Sequence, residues 1–587
     1  MKSFLKMLLA SIIGGGILLF LIFLLFASIA SISSPELEVK DKSIIRLDLN
    51  ASFVDRAQDN PFAQFDPLSG SPERANGLTS IISALKAAQD DPKIIGIYLD
   101  GGVPLAGNAT LKEIRNALLE FKASGKFIYG YTEILTQKGL YLSSVADSFF
   151  LNPEGILEFS GLSASVTYYR KALEKLGVKP VVLRATGNKF KSAVEPFLLD
   201  EMSSSNRMQL TELLDSFWST YLSDLAESKK ISISQLNLMA DSMLTDPTAA
   251  AEIGLIDGLA YYDQIRDLLK TASGVDKFSS INFISTSKYA KQLDLNGNND
   301  YSDERIAVII AQGEIRSGEG SEYIIGSDRI AAAIRKARLN DKVKAIVLRV
   351  NSPGGSALAS EVIWREMDLA RAEKPIIASM GDVAASGGYY IACYADTILA
   401  QANTVTGSIG AFGLFFTAQD LMNEKIGVNI ETVKTNKHSD IGTLDRDLTA
   451  GERRILIRQV DNIYGTFKNR VATGRGLDLA FVDSIGQGRV YSGLRAKELG
   501  LVDLIGGLSD AIEIAAVKAG LEEGYSVVTY PELEDPIQAL IKEFSDQMGG
   551  ASIKSELGEF AQYLELLEQA QSRKGFQTRM EYDLVID

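Results

Sequence analysis

A chain of 587 residues is too long for one hydrophobic core and implies about two to four domains. Its apolar (46%) and charged (23%) fractions are those of a globular protein and exclude extensive disorder, and a net charge of −15 argues against a nucleic-acid partner. One cysteine, Cys393, and one histidine, His438, exclude an intrachain disulfide and leave a His/Cys zinc site without ligands. No metal and no cofactor are expected, and a Ser-His-Asp triad has only His438 to draw on.

The N-terminus carries the membrane signal. Lys2 and Lys6 precede an uncharged run over 7–35, and its centre, 17–26, holds only Leu, Ile and Phe. Spanning a bilayer takes about 20 apolar residues, against about 7–15 for a secretory h-region. Residues 1–35 are therefore expected to form a retained transmembrane helix. The stretch ASIA at 27–30 leaves a cleaved signal as the other reading. Lys2 and Lys6 should stay cytoplasmic, so the chain is expected in the bacterial inner membrane, single-pass, with its body on the periplasmic side.

Beyond the anchor the sequence repeats itself. DPKIIGIYLD starts at Asp91 and NDKVKAIVLR at Asn340; LYLSSVAD ends at Asp147 and YYIACYAD at Asp396. Both pairs stand 249 residues apart (340 − 91 and 396 − 147). The helical stretches IISALKAA (81–88) and IAAAIRKA (330–337) keep that register, AEIGLIDGL (251–259) echoes KELGLVDLI (497–505), and apolar strands open the copies at 43–49 and 305–311. A register held over some 65 residues is not chance similarity. The first copy is assigned to 43–286 and the second to 305–525, with a polar boundary at 287–304 and a C-terminal extension at 526–587. In each copy short β-branched runs alternate with amphipathic stretches. In the second, 346–350 and 376–379 read as strands, and 358–372 and the stretch after Gly387 as helices. That alternation implies an α/β fold with mostly parallel sheets.

Four stretches carry the chemistry. In KSAVEPF (191–197) Lys191 lies among apolar residues, and burial would favour the neutral amine a general base needs. Many other lysines are available, and composition does not select among them. In NSPGGS (351–356) a strand breaks at Pro353, and Gly354-Gly355 permit the close backbone approach of an oxyanion hole, or simply make a turn. In ASGGYY (385–390) Ser386 sits between strand and helix, as a nucleophile or as an N-cap, with the Gly387 N–H as a second oxyanion donor. The position 249 residues earlier is Gln137, followed by Lys138, so the first copy lacks this nucleophile. His438 lies in TNKHSDIG, a polar segment that reads as a solvated loop.

With TGSIGAFG at 406–413, these stretches resemble the signal peptide peptidase A family in its long form, with two tandem copies, over about 43–520. The resemblance implies a serine endopeptidase with a tandem Clp/crotonase-like fold. It makes Ser386 the nucleophile, Lys191 the general base and Ser408 the partner that orients the lysine, with oxyanion donors at Gly387 and in the Gly354-Gly355 turn. It also implies apolar peptide substrates, such as cleaved signal peptides, and a homo-oligomeric ring, a tetramer. The second copy has Ile441 where a second Lys191 would fall, so each copy supplies one partner. Two other classes compete. A crotonase-type acyl-CoA enzyme would employ carboxylates, of which the Ser386 segment offers only Asp382. An inactive membrane scaffold would not need the intact motifs.

Overall fold

The computed structural model describes residues 39–57, 75–295, 303–521, 524–533 and 575–580, together with Gly14 alone. The run over 7–35 thus falls, but for Gly14, outside the described residues. Among those that are described, no helix is long and apolar enough to cross a membrane.

Residues 43–285 build a six-stranded, wholly parallel sheet. From edge to edge its strands are Gly258–Leu259, Ser148–Leu157, Phe127–Leu135, Ile94–Asp100, Ser43–Asp48 and Phe283–Ser285. The second copy repeats the order with Val343–Ser352 and Arg305–Gln312 at its centre, Ile376–Ala385 beside them and Ser526–Tyr530 at the edge. Its last pair at the other edge, Val405–Gly407 with Val490–Ser492, is antiparallel. Side chains alternate across a strand. Ile45, Leu47, Ile97 and Leu99 therefore enter one core while Ile44 and Tyr98 enter another. In the second copy Ala307, Ile309, Ile346 and Leu348 face one way and Ile306, Val308, Ala345 and Val347 the other. Burial on both faces explains why these strands read as continuous apolar runs.

The strands expected at 346–350 and 376–379 are observed as Val343–Ser352 and Ile376–Ala385, and the helices as Ala357–Arg371 and Gly387–Ala392. Ser526–Tyr530, which the sequence reading left in the C-terminal extension, occupies the edge that Phe283–Ser285 occupies in the first copy. A lone five-residue run gives no sign of its partner, which lies more than 200 residues away at Arg305.

Two devices join the copies. The first is a mixed sheet in which Lys179–Arg184 of the first copy pairs antiparallel with Phe412–Thr417 of the second. Val181, Leu183 and Ala185 lie in the core of the second copy, so this arm belongs physically to its neighbour. The second is a buried ion cluster. Arg349, with no exposed surface, donates to Asp55 and Glu113 of the first copy at 2.7 Å each. Burial works against the guanidinium charge, and the two carboxylates more than offset it, holding Arg349 above the ordinary arginine value.

Candidate active site

Ser386 stands between the strand Ile376–Ala385 and the helix Gly387–Ala392. Its backbone is held at φ 54°, ψ −113°, a conformation that a non-glycine residue keeps only when its surroundings enforce it. Its N–H donates to the Gly407 carbonyl at 2.8 Å, and its own carbonyl accepts from the Tyr390 N–H at 2.8 Å. Ser408, the next residue after Gly407, also has a positive φ, 50°.

The cross-copy arm delivers Lys191 to this point. After Lys179–Arg184 the chain turns, and Lys191 precedes the short helical turn Ser192–Val194. Its Nζ lies 3.0 Å from Ser386 Oγ, 2.7 Å from Ser408 Oγ and 3.2 Å from the Ser408 carbonyl oxygen. Lys191, Ser386 and Ser408 are all wholly buried. Two supports of the lysine were not read from the sequence. Gln209, on the helix Ser204–Lys229, donates to Ser192 Oγ at 2.8 Å and to the Phe190 carbonyl at 3.3 Å, and accepts from the Val490 N–H at 3.3 Å. Gly488, at φ 82°, passes so close that a β-carbon there would stand 2.6 Å from Lys191 Cβ. Sequence offers a signal only for the second, as a glycine between polar residues, and does not say what it approaches.

The two glycine motifs meet beside the serine. A β-carbon on Gly354 would lie 2.6 Å from the Gly387 nitrogen. The Gly354 N–H donates to Ser352 Oγ at 3.1 Å, and Gly355 sits in a short strand, Gly354–Ser356. Asp382 is engaged elsewhere. Its carboxylate accepts from the Thr110 N–H (2.9 Å) and hydroxyl (2.6 Å) of the first copy, near the start of the helix Asn108–Ala123. Burial raises its pKa, and the Thr110 contacts pull the other way. His438 is not brought to the serine. It lies on a partly exposed loop with Nδ1 3.2 Å from Glu452 Oε1, in a cluster with Arg446 and Asp440.

In the first copy Gln137 fills the place of Ser386. It is buried, donates to the Gly161 carbonyl at 3.2 Å and accepts from the Gly161 N–H at 3.0 Å. A cavity of about 350 Å³ remains beside Gln137 and Lys138.

Known proteins agree with the duplicated layout. The model of peptidase family S49 matches residues 120–276 and 368–522, one stretch in each copy. The chain is 34% identical to a chloroplastic serine protease SPPA of Arabidopsis thaliana, over 85% of this chain and 73% of that one. It is 37% identical to Protease 4 of Salmonella typhi, over 76% of this chain and 73% of that one. A solved structure of a ClpP1 mutant from Listeria monocytogenes aligns with 38% of this chain and 99% of its own, at 13% identity and a TM-score of 0.25.

Proposed function

Because the chain belongs to peptidase family S49 and is a serine protease, we propose that it is a membrane-anchored endopeptidase with Ser386 as nucleophile and Lys191 as general base. The observation that carries this reading is the 3.0 Å approach of Lys191 Nζ to Ser386 Oγ with both residues wholly buried. An amine out of water is favoured in its neutral form, which is the form that accepts a proton. Lys191 takes the hydroxyl proton and Ser386 Oγ attacks the peptide carbonyl. The Gly387 N–H and the Gly354-Gly355 turn stabilise the oxyanion, for which the Gly354 N–H exchanges Ser352 Oγ for the substrate. Lys191 then protonates the leaving amine, and water it activates clears the acyl-enzyme. Ser408 holds the amine in place between these steps.

In this reading residues 1–35 anchor the chain in the bacterial inner membrane and the body stands on the periplasmic side. The two copies, 43–286 and 305–525 with the strand Ser526–Tyr530 added at the edge of the second, each have a Clp/crotonase-like fold. Substrates are apolar peptides, remnant signal peptides among them, and the chains close into a ring. The arm of the second copy supports the ring. EKIGV at 424–428 matches EKLGV at 174–178, so the residues after Gly427 correspond to the arm that docks within the chain. Here Val428, Ile430 and Val433 are exposed, Val433 at 98%, as an arm awaiting the first copy of another chain would be.

The test is labelling with a serine-directed fluorophosphonate followed by peptide mapping. The label should fall on Ser386. Hydrolysis of apolar peptides should survive His438→Ala and be lost in Lys191→Ala. An inactive, folded His438→Ala protein would defeat the assignment of the base.

A further inference from the structure

The first copy has an opening where the second has its chemistry. The cavity of about 350 Å³ beside Gln137 and Lys138 is bordered by Val103, Pro104 and Leu105 and by Ser160, Gly161 and Leu162. In the 249-residue register these are the counterparts of Ser352, Pro353 and Gly354 and of Ile409, Gly410 and Ala411. The register holds in three dimensions: Ile134 pairs with Ile156 and Leu135 with Leu157, as Val383 pairs with Val405 and Ala384 with Thr406. The cavity therefore takes, in the first copy, the place that the Ser386 site takes in the second. Its volume is that of a small-ligand pocket, about 300–1,000 Å³.

Each reactive position is changed there. Gln137, in place of Ser386, engages its amide with the backbone of Gly161. Buried Phe159 stands in place of Ser408, and Leu105, 63% exposed, in place of Gly354. A point suited to an oxyanion has become an apolar contact, and Phe217 and Tyr221 of the helix Ser204–Lys229 add their rings to the wall. Two polar groups at the cavity are left over. Asn403 of the second copy lines it and is 5% exposed, yet its Oδ1 has no hydrogen-bond partner among the described residues, a state that buried polar atoms rarely keep. Lys138, in place of Gly387, makes no hydrogen bond or ion pair among the described residues either. A ligand that fits brings an N–H for Asn403, an oxygen for Lys138 and apolar groups for the wall. A peptide with apolar side chains has all three.

The cavity also adjoins the active site. Phe217 lines it and belongs to the apolar cluster that holds Ala385, the residue before Ser386, and Leu162 lines it and packs against the same cluster. We propose that this cavity is a second, noncatalytic peptide site, which holds a further stretch of the extended apolar substrate cut at Ser386. The proposal rests on the roles given above to Ser386 and Lys191. With Gln137, Leu105 and Phe159 at the reactive positions, the site binds and does not cleave. Its effect is to favour substrates long enough to reach from one copy to the other, since a second contact on one chain acts at high effective concentration.

The test combines labelling with kinetics. A benzophenone-bearing apolar peptide of roughly fifteen residues, about 50 Å when extended, is photolysed with the full-length Ser386→Ala protein and the cross-links are mapped. Labels should fall on 103–105 or 160–162 as well as near position 386, and an excess of unlabelled peptide should remove them. A cavity covered by a segment of this chain or by a second copy leaves 103–105 and 160–162 unlabelled and overturns the proposal. In the protein with Ser386 intact, Leu105→Asp changes an exposed side chain and should raise KM for the long peptide about tenfold with kcat unchanged. Asn403→Ala should raise it about fivefold. A reporter of roughly four residues, about 13 Å long, should be cut as before by both variants. Equal changes for the two peptides, or none for the long one, overturn the proposal. Hydrolysis that survives Ser386→Ala defeats the reading of the dyad, an outcome on which the labelling of 103–105 and 160–162 does not depend.

Discussion

The two copies share a sheet order and differ in what their equivalent positions do. Where the second has Ser386 and Gly387, the first has Gln137 and Lys138. Where the second buries Arg349 between Asp55 and Glu113, the first has Asp100, in a pair with the exposed Arg46. The arm of the first copy is sunk in its neighbour's core, and the matching arm of the second lies in the open. At one internal junction an arm, an ion cluster and Ser386 converge, while the corresponding positions of the first copy hold Gln137 and Lys138 beside a cavity of about 350 Å³.

The comparison breaks if the first copy can be made to work alone. Ser386→Ala should lower hydrolysis of apolar peptides by at least about a thousandfold, the usual scale for losing a triad-type nucleophile. Adding Gln137→Ser to it should restore nothing, because Lys138 still follows and Lys191 points into the second copy. Lys191→Arg should be as inactive as Lys191→Ala, since a guanidinium does not give up its proton. Recovery of peptide hydrolysis in the Gln137→Ser background would mean that the first copy retains a working site.

The junction itself is tested by mixing. Lys191 and Ser386 meet here within one chain. Co-refolded Lys191→Ala and Ser386→Ala proteins should remain inactive, because every internal junction lacks one partner. Were the dyad shared between chains, random pairing would return up to roughly a quarter of the activity by counting independent sites. Activity measured on the mixture decides between these outcomes.

Much of this was legible in the sequence, and the parts that were not share a cause. The 249-residue register and the strand–helix alternation of the second copy are local patterns, and both sheets follow them. The arm Lys179–Arg184 reads as an ordinary strand, and nothing in its residues names Phe412–Thr417 as its partner. Lys191 was one lysine among many, because the burial that singles it out comes from Ser408, Gly488 and the turns of the other copy. Resemblance supplied what local pattern did not. Arg349 was missed for a related reason: a strand arginine amid apolar neighbours gives no sign of two carboxylates arriving from residues 55 and 113.

Arg349 also gives the sharpest contrast in stability. Arg349→Met removes the cation and leaves Asp55 and Glu113 buried around an apolar side chain, a change that costs about 3–5 kcal/mol. Asp100→Ala, at the same position of the first copy, breaks a pair whose arginine side chain is 54% exposed and should cost less than about 1 kcal/mol. Urea unfolding of the two variants measures the difference. Equal losses would show that the junction is not held by the buried cluster.

The smallest effect is expected where the copies still agree. Cys393 stands 249 residues after Ser144. Both are buried in the turn after a short helix, with Cys393 Sγ 3.2 Å from the Tyr390 carbonyl and Ser144 Oγ 2.8 Å from the Tyr141 carbonyl. The second copy thus already contains the acceptor that a serine would use. Cys393→Ser should cost no more than about 1 kcal/mol at pH 7, the scale of a buried hydroxyl that finds a hydrogen bond. The difference should also depend on pH. Burial pushes the Cys393 thiol from 9.0 up to about 12, so between these values the folded chain keeps a proton that the unfolded chain releases. Stability of the wild type then falls as pH rises through that window, by about 1.4 kcal/mol one unit above the ordinary thiol value, and the serine variant is spared this loss. Unfolding measured at pH 7 and pH 10 should show the gap closing. A gap that widens with pH would mean that the thiol ionises more readily in the folded chain than its burial allows.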